Sequence, residues 1–239
     1  MKLTLVKKQK EANGAMSFFW EANPPFVWKP GQFLYYTLEL PENDPRGNVR
    51  HFTISASPTE NIIRLTTKIS DSVYKQTLNK LEEGSVVDGS GPRGDFVLDI
   101  EKSEPQVFLA GGIGITPFRA FIKYGIDNNF KTPTHLIYSN STAEEIVFKE
   151  ELDSWTAQNL DLQISYTITH PEESKTPWNG LTGHINAEMI KKLVIGHWSL
   201  DIPTWWVCGP PAFVSGMEDE LAKLKTSPDK IEEEQFTGY

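Results

Sequence analysis

A single cysteine, Cys208, stands among the 239 residues of this chain. It excludes an internal disulfide framework and any four-cysteine zinc or iron–sulfur site. The five histidines, at 51, 135, 170, 184 and 197, show no i, i+4 pairing or other ligand spacing, so no metal is expected. Positive charge is also short, since 23 Lys and Arg against 32 Asp and Glu leave a net charge of −9. That balance argues against nucleic acid, whose backbone demands a basic surface, and against anionic membrane. No stretch approaches the roughly 20 apolar residues that span a bilayer. The opening MKLTLVKKQKEANGAMSFFW lacks the continuous apolar core of a secretory signal. The expected location is the reducing cytoplasm.

What is present points to a folded, two-part chain. Hydrophobic residues make up 38% and there are seven tryptophans, enough for a packed core and against disorder. Up to about residue 100 the pattern is short β-branched and aromatic runs, such as GQFLYYTLEL, RHFTISAS and NIIRLTTKIS. Turn signals such as NPP, PENDPRGN and GSGPRGD separate them, and about six strands at that spacing predict a closed antiparallel β-barrel. DSVYKQTLNKLEEG is the one helical interruption, with Asp71 or Ser72 as cap, Gly84 as stop, and Val73, Thr77, Leu78 and Leu81 as its apolar stripe. GPRGDF marks a tight turn into the last barrel strand.

Beyond EKSEP the strands QVFLA, HLIYS, QISYTIT and TWWVCG alternate with helical patterns near 117–125, 143–157, 186–194 and 211–225. Such alternation predicts an α/β domain with a parallel sheet. The boundary is expected near residue 103, giving domains 1–103 and 104–239.

The first α/β strand runs into LAGGIGITPF, with three glycines, 111, 112 and 114, in four positions. Gly112 permits a sharp turn, Gly114 lets a ligand approach the backbone, and Pro117 suits a first helical turn. The free amides there form an anion site. An ordinary glycine-rich connection remains the competing reading of the turn alone. A second strand–glycine–helix junction, WVCGPPAF, places Cys208, Gly209 and Pro210 at the same carboxyl end of the sheet. In RHFTISASP, alternation puts Arg50, Phe52 and Ile54 on one face and Thr53 and Ser55 on the other. Arginine offers a fork for pyrophosphate, an aromatic can lie against a flat ring, and a hydroxyl can bond a ring nitrogen.

Taken in order, RHFTISASP, DSVYKQTL, GPRGDF, AGGIGITP, YSNSTAEEIVFKEEL, WVCGPP and EEQFTGY resemble the ferredoxin–NADP⁺ reductase superfamily from about residue 30 to the end. The resemblance implies an FAD-binding barrel followed by a nicotinamide-binding domain. It implies a flavin-dependent NAD(P)H oxidoreductase with no fused iron–sulfur domain. Arg50 would pair with FAD phosphate, Phe52 lie beside the isoalloxazine in place of the usual tyrosine, and Thr53 hydrogen-bond flavin N5. His51 and Lys68 complete the barrel's share of the site. Ala56 stands where one branch has serine, so that contact is not carried over. Ser72 and Lys75 replace the usual glycine and serine of the pyrophosphate helix, and Lys75 is read equally as a phosphate partner or a solvated helix residue. Gly111, Gly112, Gly114, Thr116 and Pro117 would hold the nicotinamide dinucleotide, with Cys208, Gly209 and Pro210 beside its ring. Phe236 or Tyr239 would present an aromatic to the flavin, Phe236 being favoured and Glu234 weaker. Thr169 and His170 stand where NADPH-specific members have a Ser-Arg pair, a slight lean to NADH.

The implied acceptor is a separate molecule: ferredoxin, flavodoxin, a cytochrome or an oxygenase component. The alternatives are an electron-transfer subunit with little activity alone and a ferric or free-flavin reductase. A pure nucleotide-binding regulator leaves the RHFT barrel unexplained. Oligomeric state is not legible.

Overall fold

The computed structural model describes residues 1–98, 104–194 and 203–237, and the expected boundary at 103 lies outside them. The chain divides into two compact units. One comprises Met1–Leu98 and Thr116–Asn128, and the other the remaining chain.

The first unit holds strands β1 (Lys2–Ala12), β2 (Ala15–Asn23), β3 (Phe33–Thr37), β4 (Val49–Thr53), β5 (Ile63–Lys68) and β6 (Val86–Arg93), with helix α1 (Val73–Lys80) between β5 and β6. They form one antiparallel sheet in the order β4-β3-β6-β1-β2-β5. An Ile54–Leu65 bridge and a Ser55 N to Arg64 O bond of 2.8 Å join its outer edges, closing the sheet into the expected six-stranded barrel. Period-two patterning fills the interior with Leu3 and Leu5, Phe18 and Trp20, Leu34 and Tyr36, Phe52 and Ile54, and Ile63 and Leu65. Tyr74 and Leu78 of α1 join that core.

In the second unit β7 (Gln106–Gly111) leads through a 3₁₀ turn to helix α2 (Ile115–Asp127), whose residues from Thr116 pack with the barrel unit. Then come β8 (Thr134–Asn140), α3 (Lys149–Gln158), β9 (Leu162–Ile168), the short β10 (Leu181–Thr182), α4 (Ala187–Val194), β11 (Thr204–Gly209), α5 (Pro211–Lys223) and β12 (Ile231–Gln235). Every pairing is parallel, in the order β10-β9-β8-β7-β11-β12. Val107, Leu109, Ile137, Trp205 and Val207 meet Ile190 and Val194 of α4 and Val214, Met217 and Leu221 of α5. This is the α/β domain expected from the alternation.

Several local expectations are corrected. The helix expected over 143–157 starts at Lys149, because Ile146, Val147 and Phe148 are buried and Phe148 turns the chain at φ 62°. Ser72, not Asp71, caps α1, which ends at Lys80 well before Gly84, and its buried residues are Tyr74, Lys75 and Leu78. GPRGDF ends the last barrel strand rather than leading into it, and Phe96 packs on Phe118 and Phe121 of α2. Residues 1–23, outside the family motifs, supply two of the six strands, joined by a turn at Gly14 with φ +69°.

Candidate functional site

In the barrel unit several charged groups gather at the start of α1. Ser72 Oγ accepts the Lys75 amide at 3.3 Å, an ordinary side-chain cap. One residue into the helix, the Tyr74 amide donates instead to Asp44 Oδ2 at 3.2 Å. Arg50 reaches the same carboxylate, its Nη2 lying 2.8 Å from Oδ1, while its guanidinium stacks over the Tyr74 ring at 5.0 Å. Hydrogen bonds from Arg46 N and Tyr74 N, with the Arg50 charge, hold the Asp44 carboxyl below the usual range.

Lys75 is buried, 6% exposed. Its ammonium donates to Thr67 Oγ1 and, at 3.1 Å, to the Lys68 carbonyl, and lies 4.8 Å over the Phe52 ring. Burial, helped by Arg46 and Arg50, lowers its pKa to about 7. Of the two readings of Lys75, the solvated helix residue is thereby set aside. Arg50, Phe52, Lys68, Ser72 and Lys75 are thus brought together.

Phe52 is 3% exposed, with Tyr36 and Tyr74 ring centroids at 5.9 and 6.2 Å. The side of β4 open to solvent belongs to His51, whose ring stands 4.9 Å from Phe33 and 5.7 Å from Tyr35. Thr53 alternates with Phe52 and is 5% exposed.

In the α/β unit the two glycine junctions meet at the carboxyl ends of the adjacent strands β7 and β11. Gly112 has φ +52°, a turn that glycine tolerates best. A Cβ on Gly111 or Gly209 would strike the Phe213 ring, at 2.6 and 2.7 Å. One on Gly114 would lie 2.7 Å from Gly209 Cα and closer still to the Cys208 carbonyl. Gly114 is therefore required by the chain's own backbone, whatever else approaches it. Thr116 and Pro117, in the first turn of α2, are buried. Pro210 is exposed at the entry to α5, and Thr169 is half-buried just past β9. Beside it His170, Glu172 and Glu173 form an exposed group.

Cys208 is fully buried, and burial followed by the charge of Glu234 pushes its thiol pKa up. Residues 231–235 form the sixth parallel strand, with Glu234 paired opposite Cys208. Phe236 is buried and its amide donates to the Gly209 carbonyl at 2.9 Å. Tyr239 lies outside the described residues. The Glu234 oxygen Oε2 is buried without a hydrogen-bond partner, and burial raises its carboxyl pKa from 4.5 to about 7. Between those values the folded chain keeps a proton that the unfolded chain has released, so stability falls as pH rises through that window. Melting curves across it should show a declining Tm in the native chain and a flatter profile in Glu234→Gln. An identical slope in both would mean that the carboxyl is not held protonated.

Residues 108–219 match the family model described as the oxidoreductase NAD-binding domain. That match likens the α/β unit of this chain to such a domain and covers just under half of the chain. Among the relatives of this chain is the glycine betaine monooxygenase reductase subunit of Chromohalobacter salexigens, 28% identical over 97% of this chain and 62% of the relative. The chain spans less than two thirds of the length of the curated relatives it matches first. The flavohem-like FAD/NAD binding domain of nitric oxide dioxygenase from Vibrio cholerae has the same fold, with a TM-score of 0.85, 20% identity and 98% of each chain covered. So does a ferredoxin NADP⁺ reductase from Neisseria gonorrhoeae with bound FAD and NADP, with a TM-score of 0.78, 18% identity and 98% of each covered. Among the described residues no helix is long and apolar enough to cross a membrane.

Sequence reasoning missed Asp44. The visible signal was one of two acids in PENDPRGN, six residues before Arg50, but only folding shows that it reaches a helix end.

Proposed function

We propose that the chain is an FAD-dependent NAD(P)H oxidoreductase that passes electrons to a separate acceptor. The observation that carries the flavin half is the donor set at α1. Arg50 and the Tyr74 amide in the first turn of the helix already hold an anion there, the Asp44 carboxylate, and a phosphate asks for the same donors. The paired glycine junctions of β7 and β11 support the nicotinamide half, at the carboxyl ends where open α/β sheets take ligands.

When bound, FAD would supply the redox chemistry, accepting a hydride from NAD(P)H and releasing the electrons onward. The chain's residues have positioning roles. Arg50, Ser72 and Lys75 hold the pyrophosphate end, with His51, Phe52, Thr53 and Lys68 nearer the ring. Gly111, Gly112, Gly114, Thr116, Pro117, Gly209 and Pro210 shape the dinucleotide turn, and Thr169 meets its adenosine end. Cys208 and Phe236 serve the nicotinamide and flavin rings, and Glu234 holds a proton at the Cys208 strand end near pH 7. NADH is favoured, because Glu172 and Glu173 beside Thr169 put negative charge where an extra phosphate would sit. The acceptor is an oxygenase component, ferredoxin, flavodoxin or cytochrome. The first is supported by the relative named as a monooxygenase reductase subunit. A cytoplasmic location accords with the free, buried thiol of Cys208.

The test is anaerobic titration of FAD-reconstituted protein with NADH and with NADPH, followed by an acceptor panel. A yellow protein bleached faster by NADH is expected. Protein that takes up no flavin would end the proposal, and flavin uptake without dye reduction would favour an electron-transfer subunit inactive alone.

A further inference from the structure

The loop between β3 and β4 does something its composition does not require. Residues 41–43 and 45–48 are exposed, yet Asp44 at its centre is only 5% exposed. Its Oδ1 accepts from Arg50 Nη2 at 2.8 Å and from Arg46 N at 2.9 Å, and its Oδ2 from Tyr74 N at 3.2 Å. The other end of the guanidinium is also covered by the loop and the strand it enters. Arg50 Nη1 donates to the carbonyls of Arg46, Gly47 and Val49 at 2.6, 2.8 and 2.9 Å. Gly47, with φ +73°, donates back to the Asp44 carbonyl at 2.8 Å and closes the turn.

A buried carboxylate on a guanidinium fork and a helix N-terminal amide has the donor environment of a bound phosphoryl group. We propose that Asp44 is a resident anion in the pyrophosphate position, and that a dinucleotide binds the barrel by displacing it. This rests on the flavin reading above and goes beyond it, because Asp44 then sets how tightly the barrel takes the ligand. The two anions cannot share the site, since like charges at hydrogen-bonding distance repel strongly where water is excluded. The rest of the loop is exposed, so Asp44 can swing into solvent without opening the barrel core. Its ion pair braces the empty barrel and opposes the filled one.

The test is calorimetric titration of flavin-free protein with inorganic pyrophosphate and, separately, with FAD. Asp44→Asn keeps the shape and removes the charge, so both ligands should bind at least about tenfold tighter, the scale of one charge-assisted hydrogen bond no longer in competition. The same variant should be less resistant to denaturant when ligand-free. Asp44→Ser, which retains an oxygen for the Tyr74 amide, should follow the same direction and serves if the asparagine variant folds poorly. Glu42→Gln, on the exposed part of the loop, should change neither affinity.

Unchanged or weaker pyrophosphate binding in the Asp44 variants would overturn the proposal and leave Asp44 a brace for Arg50. Tighter pyrophosphate binding with no FAD uptake by any form would keep the resident anion and remove the flavin reading. Equal FAD binding by native and variant proteins would do the reverse.

Discussion

Gly114→Ala is expected to destabilise the α/β unit by about 1–3 kcal/mol or more, the cost of forcing atoms into packed space. The added methyl would meet the Cys208 carbonyl and Gly209 Cα, all backbone, so no side chain can rotate away. The strand ends of β7 and β11 would have to separate, and those are the ends that carry both glycine junctions. Loss of nicotinamide-dependent reduction should therefore come with loss of stability. Gly216→Ala in the interior of α5 is the opposing control. It has open space around its Cβ position and no positive φ, so a gain of about 0.5–1 kcal/mol is expected. Denaturant midpoints of the two variants on opposite sides of the native value would support the packing account. A Gly114→Ala protein as stable as the native chain would remove it.

Arg119→Met is expected to cost about 3–5 kcal/mol, because it strands a charge that folding takes out of water. Arg119 is 2% exposed, and its Nη1 and Nη2 lie 2.5 and 2.9 Å from the two Glu60 carboxylate oxygens. Nη1 also donates to the Ser55 carbonyl at 3.0 Å, directly after β4. Glu60 itself closes a capping box with Ser57. The arginine thus ties α2 to the barrel edge that carries Phe52 and Thr53. The Glu60 side chain is 21% exposed, which places the loss toward the lower end of the range. Glu60→Gln combined with Arg119→Met should recover part of it, since the lone carboxylate is then gone. Denaturant titration of the single and double variants measures both quantities, and simple additivity of the two single losses would refute the pair.

Alternating apolar residues and turn signals were enough to read a barrel before an α/β sheet, because burial on one face of a strand imposes a period of two. Most of the α/β helices were legible for the corresponding reason. The break at Phe148 was not, because three consecutive apolar residues are equally compatible with a helix and with a buried turn. Glycines 111, 112, 114 and 209 could be picked out as special from position alone. The turn at Gly112 was legible too, but the reason for 111, 114 and 209 was not, since it lies in Phe213 and, for Gly114, in a neighbouring strand about a hundred residues distant along the chain.

By itself, then, the sequence determined the class of fold, the order of its two parts and the segments from which a nucleotide site could be assembled. These follow from local periodicity and from residue types that only certain backbone shapes accept. Tertiary structure alone decided what each charged group faces. It put Lys75 against Phe52, Asp44 on the first turn of α1 with Arg50, and Glu234 beside Cys208. A charge is worth little or much according to the water left around it, and that is settled by which distant segments close over it.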